Sequence, residues 1–198
     1  ELFLPNKWPA YFSKSKGCYV WDVSNRKFTD LSLMSVGTNI LGYSNKYVDN
    51  AVINAVKKSN MSSLNCYEEI LLSEKLIDMH NHFDMVRYAR TGGEANAIAI
   101  RLARAASGKD KIAICGYHGW HDWYLSANLN SNNSEGILKD HLLPGLSTKG
   151  VPKNLKNTIY PFKFNDFKAL KKICDQNKIG AIKMEVFRNI PPEKNFLE

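Results

Sequence analysis

Three short stretches of this sequence combine residue types that can hold an anion, stack on a planar ring and set a carboxylate beside it. The first is Thr91-Gly92-Gly93-Glu94. Glycines carry no Cβ, so an anion can approach their N–H groups closely, and a helix starting here adds partial positive charge. Thr91 brings a hydroxyl donor. The same residues also fit a plain turn into a helix, because short glycine motifs are unspecific. The second stretch is Gly116-Tyr117-His118-Gly119-Trp120-His121-Asp122-Trp123. Its Tyr, two Trp and two His would form a flat aromatic surface for a heterocycle, with imidazole nitrogens for polar ring substituents. The alternative is aromatic packing beneath a loop. His118, His121 and Asp122 also raise a metal site, but no helix aligns them and no glutamate base accompanies them, so no metal is assigned. The third stretch is Ile182-Lys183-Met184-Glu185, an apolar run finishing on a carboxylate that is either paired structurally or set near a ligand.

The elements that must position these residues follow from the pattern around them. Gly17 to Asp22 and Arg26 to Asp30 alternate as a hairpin, with Val23-Ser24-Asn25 turning between them. Apolar spacing predicts helices over 46–59 and 68–79. Residues 85–90 then read as a strand, 94–107 as a helix stopped by Gly108, and 111–115 as the next strand. A strand over 158–162, a helix over 166–176 and a strand over 179–185 complete the series. Alternating strands and helices give βαβ units and a mainly parallel sheet, whose ligands bind outside the carboxyl ends of the strands. All three chemical stretches fall at such ends. Residues 126–154, rich in Asn, Ser, Gly and Pro, are predicted to be the least ordered internal segment, or to be ordered by a partner chain.

Composition narrows the class. The 198 residues are 44% hydrophobic and 11% aromatic, which excludes a disordered chain. No apolar run approaches the roughly 18 residues needed to span a bilayer. The formal net charge of +8 comes mostly from scattered lysines, which read as solvated surface and not as a nucleic-acid stripe. Cys18, Cys66, Cys115 and Cys174 stand far apart, without a CxxC pair, and read as free thiols of a cytoplasmic protein. The start shows no signal-peptide pattern and no initiator Met, and Asn195-Phe196-Leu197-Glu198 reads as the opening of a helix, so both ends read as cut.

These residues resemble the class III pyridoxal-phosphate family of aminotransferases and aminomutases, and within it enzymes similar to glutamate-1-semialdehyde 2,1-aminomutase. The family pattern of a Ser/Thr-Gly-Thr/Ser-Glu-Ala turn and an A-x-R-x-A-R helix is met by Thr91-Gly92-Gly93-Glu94-Ala95 and by Ile100-Arg101-Leu102-Ala103-Arg104. Tyr117-His118-Gly119 matches its Tyr-His-Gly, Glu185 its strand-end glutamate, and Gly17 to Asp22, Asp30 and Ile40-Leu41-Gly42-Tyr43 its N-terminal segment. Gly93 departs from the family's hydroxyl residue and Val186 from its usual Pro.

The resemblance implies fold type I, an α/β architecture with an N-terminal segment at 1–45 and part of the large domain, with an incomplete mainly parallel sheet, at 46–198. It implies pyridoxal 5'-phosphate as cofactor. Thr91, Gly92 and Gly93 would hold the phosphate and Tyr117 would stack on the ring. His118 and Glu185 would line the pocket, and Asn189 would reach the ring hydroxyl. The Schiff-base Lys and the pyridine-nitrogen Asp are expected beyond residue 198, so the chain alone is expected to be inactive. The expected partners are a small amine or keto substrate and a second copy of the chain. The stretches His141-Leu142-Leu143-Pro144-Gly145-Leu146 and Lys149-Gly150-Val151-Pro152 resemble relatives linked to surface-sugar synthesis. They keep open an aminotransferase acting on a keto-sugar or keto acid. A non-catalytic phosphate-binding module is the alternative from another class.

Overall fold

Alternation of apolar and polar residues near the start produces an antiparallel meander of β1 (Phe12–Lys16), β2 (Tyr19–Asp22) and β3 (Lys27–Thr29), with β2 central. Val20 faces Phe28 and Trp21 faces Lys27 across the predicted hairpin. The Ser13-Lys14-Ser15-Lys16 stretch gives no apolar signal, so β1 escapes sequence reading. It pairs with β2 nonetheless, and the Lys14 ammonium lies 4.9 Å from the Trp21 ring centre. The computed structural model describes residues 9–130, 138, 146–187 and 190–198. The chain divides into two compact units, Glu1–Met85 and Val86–Glu198.

Asp22 closes the hairpin turn. It is 2% exposed, and its carboxylate accepts the Ser24 and Arg26 N–H groups at 2.9 Å and the Arg26 Nε–H at 2.7 Å. Burial pushes this carboxyl up, but the hydrogen bonds from Arg26 and Ser24 and the Arg26 charge outweigh it and hold it below the usual carboxylate value. A carboxyl with a depressed folded-state pKa stabilises above its ordinary value, and that contribution is lost as pH falls through the depressed one. The meander is therefore expected to loosen on acidification below the usual Asp range. Trp21 fluorescence reports the loss, and Asp22→Asn should remove the acid-dependent step.

The two predicted helices of this unit are α1 (Lys46–Lys57) and α2 (Tyr67–Met79). Asn45 caps α1 by accepting from the Tyr47 and Val48 N–H groups. Neither helix has a buried residue. Residues 85–90, read as a strand, are not one: no ladder hydrogen bonds reach them among the described residues. Apolar residues support a strand only where a neighbour pairs its N–H and C=O groups.

The second unit is built around α3 (Gly92–Ser107), β4 (Lys111–Cys115), α4 (Asp122–Leu125), β5 (Ile159–Pro161), α5 (Phe167–Gln176) and β6 (Ile179–Met184). β4 lies between β5 and β6, parallel to both. Its run Ile112-Ala113-Ile114-Cys115 is buried on both sides, as a central parallel strand must be. Ile112 and Ile114 pack with Ile100, Trp123, Tyr124 and Ile159, while Ala113 and Cys115 pack with Phe162 on the opposite face. α3 begins at Gly92, two residues before the predicted start. Thr91 Oγ1 accepts the Glu94 N–H at 3.2 Å, and the Glu94 carboxylate accepts the Thr91 and Arg90 N–H groups at 3.1 and 2.9 Å. This capping box satisfies the helix start, and Gly108 ends α3 at φ 63°. The four cysteines are free. Among the described residues no helix is long and apolar enough to cross a membrane.

Candidate active site

Two glycines in the loop after β4 bring the chemical stretches together. Gly116 takes φ +100°, and a Cβ there would lie 2.6 Å from the Glu185 carboxyl carbon. The Glu185 N–H donates to Cys115 O at 3.2 Å, so the carboxylate at the end of β6 rests on the backbone of the β4 end. Gly119 takes φ +101°, and a Cβ there would lie 3.0 Å from Gly93 Cα. Asn96 on α3 ties the same loop down, its Nδ2–H donating to His118 O at 3.1 Å. The helix start, the aromatic loop and the strand-end glutamate are thus held by close backbone approach, which only glycine permits at these angles.

The aromatic residues divide into two sets, so the flat surface expected from the sequence does not form. His118 is 3% exposed, and its Nε2–H donates to Cys115 O at 3.0 Å. Its ring stacks on the buried Trp123 at 6.4 Å between centres. The Trp123 indole N–H has no acceptor among the described residues. Tyr124 is fully buried, donates to Gly116 O at 3.2 Å, and meets Tyr117 edge-on at 5.8 Å. An edge-on neighbour holds the half-buried Tyr117 ring in one orientation. Tyr117, Trp120 and His121 remain accessible. Packing under a loop won for His118 and Trp123 because both rings complete the core against β4. The two histidines therefore diverge, and among the described residues no group of His, Cys, Asp and Glu could hold a metal.

At the α3 start, the Gly92 and Gly93 N–H groups have no acceptor among the described residues, as the first helical donors lack intrahelical partners. A Cβ at Gly92 would meet nothing within 4 Å. Free donors and the positive end of a helix dipole are the features that suit an anion. Glu94 turns its carboxylate back onto Arg90 and Thr91 and so stays off the two glycines. Thr91 Oγ1 is engaged as an acceptor for Glu94. Lys183 is half-buried beside Glu185; burial lowers its pKa and the Glu185 charge partly opposes the shift. Asn189 lies outside the described residues, as do residues 131–137 and 139–145 of the stretch expected to be least ordered. Sequence reading took Gly116 and Gly119 as part of an aromatic motif and missed their role as the points of close approach. Their three-residue spacing around Tyr117-His118 was the available signal.

The profile of the family described as aminotransferase class-III matches residues 5–186, which include the α3 start, the aromatic loop and Glu185. The chain is 35% identical over 89% of its length to a 3-aminobutyryl-CoA aminotransferase of Cloacimonas acidaminovorans, of which it covers 38%. It is 33% identical over 96% of its length to a glutamate-1-semialdehyde 2,1-aminomutase of Methanobrevibacter smithii, of which it covers 44%. Two solved structures, an omega-transaminase from Sphaerobacter thermophilus and a transaminase with PLP bound, each match 97% of this chain and 45% of theirs. Both do so at TM-score 0.80 and 24% identity. The fold is that of type I pyridoxal-phosphate transferases, as the sequence led us to expect, and the chain spans less than half the length of the relatives it matches. It is similar to their N-terminal part. By its sequence profile and its fold, the chain belongs to the class-III aminotransferase family.

Proposed function

We propose that this chain is the N-terminal part of an enzyme that moves an amino group with pyridoxal 5'-phosphate, similar to glutamate-1-semialdehyde 2,1-aminomutase and acting in the cytoplasm as a homodimer. The observation that carries the reading is the convergence of free helix-start donors, a braced tyrosine and a strand-end carboxylate through Gly93, Gly119 and Gly116. When bound, the cofactor supplies a carbonyl that condenses with amines and a ring that withdraws electrons. The Gly92 and Gly93 N–H groups and the α3 dipole hold the phosphate. Tyr117 presents a ring fixed by Tyr124, so stacking costs little side-chain entropy. Glu185 sets an acceptor at the sheet edge above Gly116, where it orients polar groups of the ring or the substrate. His118 anchors the loop to Cys115 O and so keeps Tyr117 in place. Asn189 reaches the ring hydroxyl in this reading. The Schiff-base Lys and the pyridine-nitrogen Asp belong to the remainder of the enzyme.

The relative from Methanobrevibacter smithii favours mutase chemistry, in which the amine moves within one molecule. The second reading is an aminotransferase acting on a keto acid or keto-sugar; the relative from Cloacimonas acidaminovorans, named an aminotransferase, favours its transfer chemistry. Amine exchange by the intact enzyme separates them. A mutase is expected to isomerise glutamate-1-semialdehyde without an added keto acid, whereas turnover that depends on a keto acid would establish the second reading. A protein that binds phosphate but exchanges no amine under either condition would overturn both.

A further inference from the structure

Resting on the cofactor reading above, we infer that His121 is a phosphate ligand of this site, standing in for a side-chain hydroxyl that residue 93 does not have. The phosphate cradle at the α3 start has backbone donors at Gly92 and Gly93 but no side chain at either position. Thr91 Oγ1 accepts the Glu94 N–H at 3.2 Å and keeps one O–H to donate, so a further side-chain donor would act beside Thr91 and not in its place. Yet the space beside Gly93 is filled. A Cβ built on Gly93 would lie 2.9 Å from His121 Cδ2 and 3.0 Å from His121 Nε2. Any side chain at residue 93 would start into that same volume, with its first carbon 3.0 Å from the imidazole nitrogen. Residue 93 and residue 121 therefore exclude each other: a side chain at the first or an imidazole at the second, but not both without displacement.

The surroundings suit a donor. His121 caps α4 without a side-chain hydrogen bond, so its ring is not committed to its own helix. The ring is exposed, which leaves it accessible to a ligand entering over Gly92, where a Cβ would meet nothing within 4 Å. Gly119 packs on Gly93 Cα and fixes the loop that carries the ring. An Nε2–H donates to a phosphate oxygen, and a charge-assisted bond of this kind is stronger than one between neutral groups. A Cβ at Gly93 would meet the ring directly, and one at Gly119 would meet Gly93 Cα at 3.0 Å, so the absence of both side chains lets the loop seat the imidazole beside the cradle.

The test compares two probes on the intact enzyme stripped of cofactor: pyridoxal 5'-phosphate and pyridoxal, which lacks only the phosphate. Binding is followed by quenching of tryptophan fluorescence, and the ratio of the two affinities isolates the phosphate contacts. His121→Ala is expected to lower the preference for the phosphorylated probe about tenfold, the size of one charge-assisted hydrogen bond. His121→Gln keeps a donor at the same reach and should retain most of it, while His121→Leu, of similar bulk, should not. Gly93→Ser alone should weaken binding by crowding the imidazole, and Gly93→Ser in a His121→Ala background should recover the preference. A ratio unchanged in both His121→Ala and His121→Leu would overturn this role for His121, leaving the α3 cradle intact. A wild-type enzyme with no preference for the phosphorylated probe would instead overturn the cradle itself.

Discussion

In the intact enzyme, Gly116→Ala is expected to lower kcat/KM by about 100-fold, a size typical of a misplacement of about 1 Å in a reacting constellation. Two independent effects act at this residue. Gly116 has φ +100°, where an L side chain crowds its own carbonyl, at a cost of about 1–2 kcal/mol. The new methyl would also stand 2.6 Å from the Glu185 carboxyl carbon and 2.8 Å from its Oε2. The backbone of Glu185 is tied to Cys115 O at 3.2 Å, so its side chain is the part that swings away. Gly108→Ala is the control. It too has positive φ, at 63°, but a Cβ there would meet nothing within 4 Å. It should lower the unfolding temperature and leave kcat/KM unchanged. Equal losses of activity in the two variants would mean that Glu185 is not part of the site.

The second unit was legible because its signals are local. The run Lys111-Ile112-Ala113-Ile114-Cys115 reads as a buried strand at any reach, and Gly108 marks the end of α3 without knowledge of what packs beside it. β1 was not legible, since four alternating Ser and Lys residues become a strand only through pairing with β2. The opposite failure befell residues 85–90, whose composition suits a strand but which meet no ladder among the described residues. In the candidate site, residue types picked out stretches that the fold brings together but did not reveal the contacts between them. His118 and His121 look equivalent in the sequence, yet one is 3% exposed against Cys115 O and the other lies over Gly93. That choice is made by the positive φ at Gly116 and Gly119, and a sequence carries no backbone angle beyond the permission that glycine gives.

The 198-residue chain made alone is expected to give no stoichiometric, borohydride-reducible adduct of pyridoxal 5'-phosphate at a single lysine, and no turnover of any amine. No lysine in these residues sits in the lysine motif of the resembling family, and in the proposed reading the three converging stretches would supply phosphate and ring contacts only. Lys183 is the one to watch. It stands two residues before Glu185, half-buried, and burial lowers its pKa, which leaves more of the amine neutral and reactive than on an exposed lysine. The opposing Glu185 charge limits that effect. Phosphate and stacking contacts should still give weak, reversible binding, because neither needs a covalent bond. Self-association should accompany the inactivity. Neither α1 nor α2 has a fully buried residue, and Val52, Val56, Ile70 and Leu72 are each about half exposed. Leu31, Ile40 and Met85 are 92%, 90% and 87% exposed, more apolar surface than a stable monomer leaves in water. Light scattering measures the association, and mass spectrometry after reduction maps the adducts. Scattered substoichiometric labelling is the expected pattern; full labelling of Lys183 together with amine exchange would place the reactive lysine inside this chain and refute the assignment of half the active site to the rest of the enzyme.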